Sequence, residues 1–257
     1  MTTVRELEQS LFAWAPRAQA MEWDNVGLLV GDGSAEVKRV LVALDITEAV
    51  GQEAKDWGAE LIVSHHPLLH PKWYPMATLC PDTAHGRLLT GLLRDGISAI
   101  CMHTNLDAAD GGVNDLLAEA VGLRRIAAFN DEKIGRIGQL DSEIHLEQFL
   151  TNVVQSLGCR AVRYRDNGKP VHRVAVGGGA CGEYVRQVVE LGCDTFLTSD
   201  LKYHDFLDCT ACNLIDAGHF ATENLICGAI VRRLRESFPA LEFKLSTSHQ
   251  DVIQYYW

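Results

Sequence analysis

The sequence predicts an α/β protein of two related α/β halves with mixed, largely parallel sheets, and three observations carry that prediction. Apolar strand patterns at 37–44 and 60–63 flank a helical pattern at 47–57. That is the order of a β-α-β crossover, which joins parallel strands. The same order returns 134 positions on (37 to 171): Val37-Lys-Arg-Val-Leu-Val-Ala-Leu-Asp45 stands over Val171-His-Arg-Val-Ala-Val-Gly-Gly-Gly179, and Trp57-Gly-Ala-Glu-Leu-Ile-Val-Ser64 over Leu191-Gly-Cys-Asp-Thr-Phe-Leu-Thr198. At a displacement of 116 (103 to 219) the match resumes, with His103 over His219 and Asp107 over Glu223. The halves are expected at 1–125 and 126–257, interlocked, with a metal site in the cleft between them.

Each element has its own signal. Thr3 with Glu6 is a capping box, and Val4, Leu7, Leu11 and Phe12 share a helical face, so a first helix runs to about Ala15 and stops at Pro16. Glu22-Trp-Asp-Asn-Val-Gly-Leu-Leu-Val-Gly31 feeds a strand; Asp24 and Asn25 read as a turn, with lining a site as the alternative. Beyond the strand at 60–63, residues 71–81 form a loop rich in proline and aromatics, 85–95 a helix, 97–102 a third strand and 116–121 a helix. In the second half Ile134-Gly-Arg-Ile-Gly138 is a short strand, Ser142 caps a helix over 144–157, and a hairpin turns at Asp166-Asn-Gly168. Arg160, Arg163, Arg165, Lys169 and Arg173 make this hairpin the most basic stretch; it reads as a solvated edge guarded against aggregation, with substrate contact as the alternative.

The 257 residues, 47% of them hydrophobic, suffice for a real core. A formal charge of −11 argues against nucleic acid as the main partner, because phosphate binding needs an excess of Lys and Arg. No apolar run reaches about 18 residues and no signal peptide is visible, so a soluble, cytoplasmic protein without membrane contact is expected. Eight cysteines without an export signal read as thiols. Cys209-Thr-Ala-Cys212 has redox or zinc spacing, but no second pair completes a four-thiolate site, and burial of small apolar side chains is the default.

The chemistry gathers around Leu61-Ile-Val-Ser-His-His-Pro-Leu-Leu-His70. His65 and His66 leave a buried strand at its carboxyl end, where ligands gather in such sheets. Pointing in different directions, they suit two ions better than one; the bland alternative is that they cap or hydrogen-bond a loop. His103 with Asp107, and His219 with Glu223, repeat a His-x-x-x-carboxylate pairing across the duplication, a donor set suited to a divalent metal. Where the first half has His65 and His66, the second has Ser199 and Asp200, so the site is asymmetric. Asp200, Lys202 and His204 are expected to orient substrate or support the ligands, with a salt bridge from Lys202 as the alternative.

Trp23-Asp-Asn-Val-Gly-Leu-Leu-Val-Gly31, Ser64-His-His-Pro67, His103-Thr-Asn-Leu-Asp107, Gly135-Arg-Ile-Gly138, Ser199-Asp-Leu-Lys-Tyr-His204 and Gly218-His-Phe-Ala-Thr-Glu223 together resemble the family of GTP cyclohydrolase 1 type 2 homologues, the Nif-three-like proteins. The resemblance spans nearly the whole chain in order. It implies two divalent ions per chain (zinc, iron, manganese or nickel) held by His65, His66, Asp107, His219 and Glu223, with Glu223 bridging. It further implies a homohexameric ring with the metal sites facing inward, here in the compact form without the insertion some relatives carry. The implied activity is metal-dependent hydrolysis of a small molecule, a nucleotide being one candidate: opening of the GTP purine ring at C8 with formate release, His103 or His204 serving as the catalytic proton shuttle and His103 alternatively as an additional metal ligand. The alternatives are a dinuclear phosphoesterase or amidohydrolase, and a metal-binding interaction or regulatory protein without turnover.

Overall fold

The structure is a computed structural model and describes residues 1–76 and 78–256; Ala77 of the 71–81 loop and Trp257 lie outside the described residues. The chain divides into two compact units, Met1–Ala109 with Ile226–Gln250, and Asp110–Leu225 with Asp251–Trp257.

The first unit opens with α1 (Val4–Trp14), whose Thr3–Glu6 capping box is formed as expected. β1 (Gly27–Val30), β2 (Arg39–Ala43), α2 (Glu48–Trp57), β3 (Leu61–Ser64), α3 (Ala84–Arg94), β4 (Ser98–Cys101) and α4 (Thr104–Ala108) follow. β2, β3 and β4 run parallel, and β1 joins β4 antiparallel at the sheet edge. Thr47 caps α2 through the Val50 N–H. The two crossover helices pack Val50, Ala54, Leu88, Leu89 and Leu92 against Leu41, Ile62 and Ala99 of the sheet. Each such aliphatic side chain taken from water contributes about 1.5–3 kcal/mol, which is why strands buried on every residue read as unbroken apolar runs.

The second unit contains α5 (Val113–Ala120), β5 (Arg124–Ala128), β6 (Arg136–Ile144), α6 (Leu146–Leu157), β7 (Arg163–Arg165), β8 (Val171–Val176), α7 (Val185–Glu190), β9 (Thr195–Thr198), α8 (Tyr203–Asp208), β10 (Asn213–Asp216) and α9 (His219–Glu223). Its sheet runs β5-β6-β8-β9-β10-β7, with β8, β9 and β10 parallel and β7 antiparallel on the edge beside β10. The duplication is therefore structural. Each unit has three parallel strands joined by helices, an antiparallel edge strand beside the third, and a five-residue helix after it. Phe149, Leu150 and Val153 of α6 pack on Val171, Val174, Leu197 and Ile215.

The chain then runs through α10 (Leu225–Ser237) to β11 (Glu242–Leu245), which extends the first sheet by pairing parallel with β2. A single cut near residue 125 would put β11 with the second half; its ladder to β2 places it in the first unit. Ser142 does not cap a helix. β6 stays extended through it because Ile144 pairs with Val171, and α6 starts only at Leu146 after His145. Asp166-Asn-Gly168 does form a turn, with the Gly168 N–H donating to Asp166 Oδ1, but not a hairpin. Both sides of β8 are occupied by β6 and β9, so β7 pairs with β10 instead. The arginines of β7 are tied down: Arg163 pairs with Asp216, and Arg165 donates to the carbonyls of Phe206 and Leu207. All eight cysteines are thiols, and no described helix is long and apolar enough to cross a membrane.

Candidate metal centre

In the first unit the parallel register sets Ser64 beside Cys101, so the residues leaving β3 and β4 emerge together. His65 and His66 follow β3; His103 precedes α4, whose last turn carries Asp107. The three histidines each offer a ring nitrogen within 4.8 Å of the others. Asp107 Oδ1 lies 3.6 Å from His65 Nε2. His65 is fully buried, and His103 and Asp107 nearly so.

The hydrogen bonds behind these rings decide what the rings can do. His65 Nδ1 faces the Met102 carbonyl at 2.8 Å, His66 Nδ1 faces Asp45 at 2.8 Å, and His103 Nδ1 faces Asp24 at 2.9 Å. Carbonyl and carboxylate oxygens only accept, so each Nδ1 carries the proton and donates, and Nε2 is left as the nitrogen with a lone pair to give. A histidine whose other nitrogen donates to an oxygen is the usual form of a metal ligand. Asp24 is itself held by four donors, since the Thr104 N–H and Oγ1–H and the Asn25 N–H also bond its carboxylate. Burial alone would raise the Asp24 carboxyl, but His103 and Thr104 outweigh it and hold it well below the usual carboxylate range.

The second unit carries the matching pair. His219 and Glu223 stand one turn apart on α9, His219 Nε2 lying 3.0 Å from Glu223 Oε2, and His219 Nδ1 lying 2.6 Å from Asp200 Oδ2. Burial pulls the imidazole pKa down, yet Glu223 and Asp200 raise it to about 11. The same negative field favours a divalent cation at Nε2 as it favours a proton. Asp200 is placed by a left-handed backbone, φ +54°, rare outside glycine and asparagine or aspartate. Gly179 sits against the pair with φ +65°; a Cβ there would lie 2.2 Å from Glu223 Oε1 and 3.3 Å from His219 Cε1. Only glycine leaves room for that carboxylate. Buried histidine, aspartate and glutamate groups of this composition could hold metal ions.

The Duf34/NIF3 (NGG1p interacting factor 3) family model matches residues 2–252. The chain belongs to the Duf34/NIF3 family. It is 32% identical to a GTP cyclohydrolase 1 type 2 homolog of Clostridium perfringens, covering 91% of this chain and 92% of that one. It is 34% identical to a protein of the same name from a Nostoc species, covering 95% of each. A solved hypothetical protein of Staphylococcus aureus superposes with a TM-score of 0.90 at 29% identity over 99% of both chains. The resemblance read from the motifs and the α/β fold with largely parallel sheets are both borne out.

Within this Duf34/NIF3 chain, the first unit brings together His65, His66, His103 and Asp107, and the second His219 and Glu223. His204 is not among the candidate ligand groups of the described residues; it is exposed on α8 and lines a cleft with Cys209. Lys202 is exposed at the start of α8 and makes no salt bridge among the described residues. Asp45 and Gly179 were not anticipated as site residues. The signal for Gly179 was the Gly177–Gly179 run after a strand; nothing local marks Asp45, which meets His66 only because β2 and β3 pair. The turn lies one step earlier than expected, at Glu22 and Trp23, closed by the Asp24 N–H donating to the Met21 carbonyl, while the Asp24 carboxylate lines the site.

Proposed function

We propose that the chain is a dinuclear metal-dependent hydrolase of the GTP cyclohydrolase type, in which His65, His66 and Asp107 with His219 and Glu223 hold two divalent ions and Glu223 bridges them. The observation that carries this reading is the shared pattern of the four histidines: His65, His66, His103 and His219 all commit Nδ1 to an oxygen that can only accept. Such ions, zinc, iron, manganese or nickel, supply Lewis acidity and ease the ionisation of water near neutral pH.

The chain's own groups do the rest. Asp45 and Asp200 hold the rings of His66 and His219 in register. Asp24 keeps the His103 proton on Nδ1, so Nε2 can accept a proton from attacking water and return it to the leaving nitrogen. Trp23 and Trp73 stand edge-on to His103, at ring-centroid distances of 6.1 and 5.5 Å, and both are about half exposed. That aromatic corner suits a planar heterocycle, and GTP is the substrate suggested by the names of the relatives. One water adds at C8 of the purine and opens the imidazole ring to a formamide; a second water cleaves that formamide, leaving the amine and releasing formate. The family resemblance further supports a homohexameric ring.

The test is metal content per chain on untagged protein purified without chelator, followed by a formate assay with GTP. About two ions with metal-dependent formate release is the expected result, and His65→Ala should lose both. Two ions without formate would sink the cyclohydrolase assignment; a metal-free protein that takes up none would sink the metal centre itself.

A further inference from the structure

Cys209-Thr-Ala-Cys212 plays no part in the metal reading, and the structure gives it a setting of its own. Cys209 caps the end of α8 and Cys212 immediately precedes β10, so the two intervening residues, Thr210 and Ala211, bring the two sulfurs to 3.4 Å, in hydrogen-bond contact. The turn is pinned from outside. Asn167 Nδ2 donates to the carbonyls of both Cys209 and Cys212, the first at 3.0 Å, and the Asn167 N–H donates to Asn213 Oδ1 at 3.0 Å. Cys212 is completely buried and Cys209 is 5% exposed, but only Cys209 lines a cleft of about 540 Å3. Among the described residues no candidate ligand group contains a cysteine, so two sulfurs without further ligands do not make a metal site.

The two thiols are also unequal. The Cys212 S–H donated to Cys209 pulls the Cys209 thiol below its usual range against the opposing effect of burial, with the N–H groups of Cys212 and Ala211 and the charge of Arg165 adding to it. The same contact, and burial, push Cys212 up. Nucleophilicity belongs to the thiolate, so Cys209, the cysteine that lines the cleft, is the reactive one. The rest of the cleft is acidic: Glu183, Glu190, Asp205 and Asp208 stand against Arg186 and His204, and Arg186 is already paired with Glu190.

We propose that Cys209 and Cys212 are a reversible dithiol–disulfide couple, Cys209 attacking and Cys212 resolving, that exchanges with low-molecular-weight disulfides bearing ammonium groups. In the first step the Cys209 thiolate attacks one sulfur of the disulfide, forming a mixed disulfide and expelling one small thiolate. In the second, Cys212 gives up its proton and its sulfur attacks Cys209 Sγ, breaking the mixed bond and releasing the second small thiolate. Two protein thiols lose two electrons, the small disulfide gains them, and the two protons end on the two small thiols. The acidic wall draws in the cationic disulfide and repels anionic ones.

The test incubates native protein in cystamine/cysteamine redox buffers, quenches with acid, alkylates the remaining thiols and maps peptides by mass spectrometry, with circular dichroism reporting the fold. The expected result is one reversible two-electron transition that loses the Cys209 and Cys212 thiols together in folded protein. Cys212→Ser should trap one cysteamine on Cys209, and Cys209→Ser should trap none. Cystamine should react about tenfold faster than oxidised glutathione at low salt, the gap narrowing as salt is added. Two thiols still open to alkylation in folded protein after excess cystamine, or an adduct on Cys212 in place of Cys209, would overturn the couple. Equal rates for the two disulfides would overturn the cationic preference.

Discussion

Gly179→Ala isolates the fit of one residue around the His219–Glu223 pair. The new Cβ falls 2.2 Å from Glu223 Oε1, so the carboxylate has to retreat by about 1 Å to reach ordinary contact. Metal–ligand distances tolerate about 0.2 Å, so the retreat should cost Glu223 its place as a ligand and lower metal affinity by roughly 10–100-fold. The substitution also imposes a left-handed alanine, worth about 1–2 kcal/mol and so roughly 2–8 °C in Tm. Gly192 supplies the matched control: it has φ +73° and nothing within 4 Å of an added Cβ. Gly192→Ala should show the same backbone penalty without the carboxylate clash. Both variants and the parent are compared by thermal unfolding and by competition against a chromophoric chelator. A Tm loss in both, with weakened metal binding in Gly179→Ala alone, is expected. Parent-like metal affinity in Gly179→Ala would refute the claim that this glycine makes room for a ligand.

Asp45→Asn removes the anionic acceptor behind His66 and should weaken metal binding about tenfold, read by titration calorimetry, while changing Tm little because the Asp45 side chain is about half exposed. Glu53→Gln tests a brace on the β11 end of the first unit: Glu53 accepts from Lys244, Ser246, Thr247 and Ser248. Burial would raise its pKa, but these donors lower it on balance, so its contribution is present above the unfolded value near 4.3 and is lost as pH falls through the depressed folded one. Urea denaturation should therefore show the variant less stable by about 2 kcal/mol at pH 7, with the gap closing below about pH 4; a gap independent of pH would contradict the assignment. Asp115→Ala removes a carboxylate that pairs with the nearly buried Arg136 guanidinium and should cost about 3 kcal/mol by the same assay.

The relation between sequence and structure differs from element to element. The apolar runs of β3 and β4 and the capping box of α1 were legible because periodicity and capping report on one element's own burial and its own unpaired N–H groups. His103 with Asp107, and His219 with Glu223, were legible because the same spacing of four recurs across the duplication, and within α9 that spacing sets His219 and Glu223 on one face. Ser142 and the supposed hairpin at Asp166-Asn-Gly168 were misread for one reason: which strand a segment pairs with depends on which edges are already taken, and nothing near Ser142 or Gly168 records that β6 and β9 flank β8.

The sequence by itself determined the family, the strand-helix-strand order that repeats in the two halves, and the histidine–carboxylate pairs of the site. Only the tertiary structure decided that Asp24 stands behind His103, Asp45 behind His66 and Asp200 behind His219, and that β11 closes the first sheet beside β2. Those partners lie between 19 and 203 positions apart or meet across a strand ladder, as Arg39 meets Glu242. Local pattern encodes how a segment buries itself, whereas the meeting of distant segments is set by the packing of the whole sheet and by the closure of the loops between them.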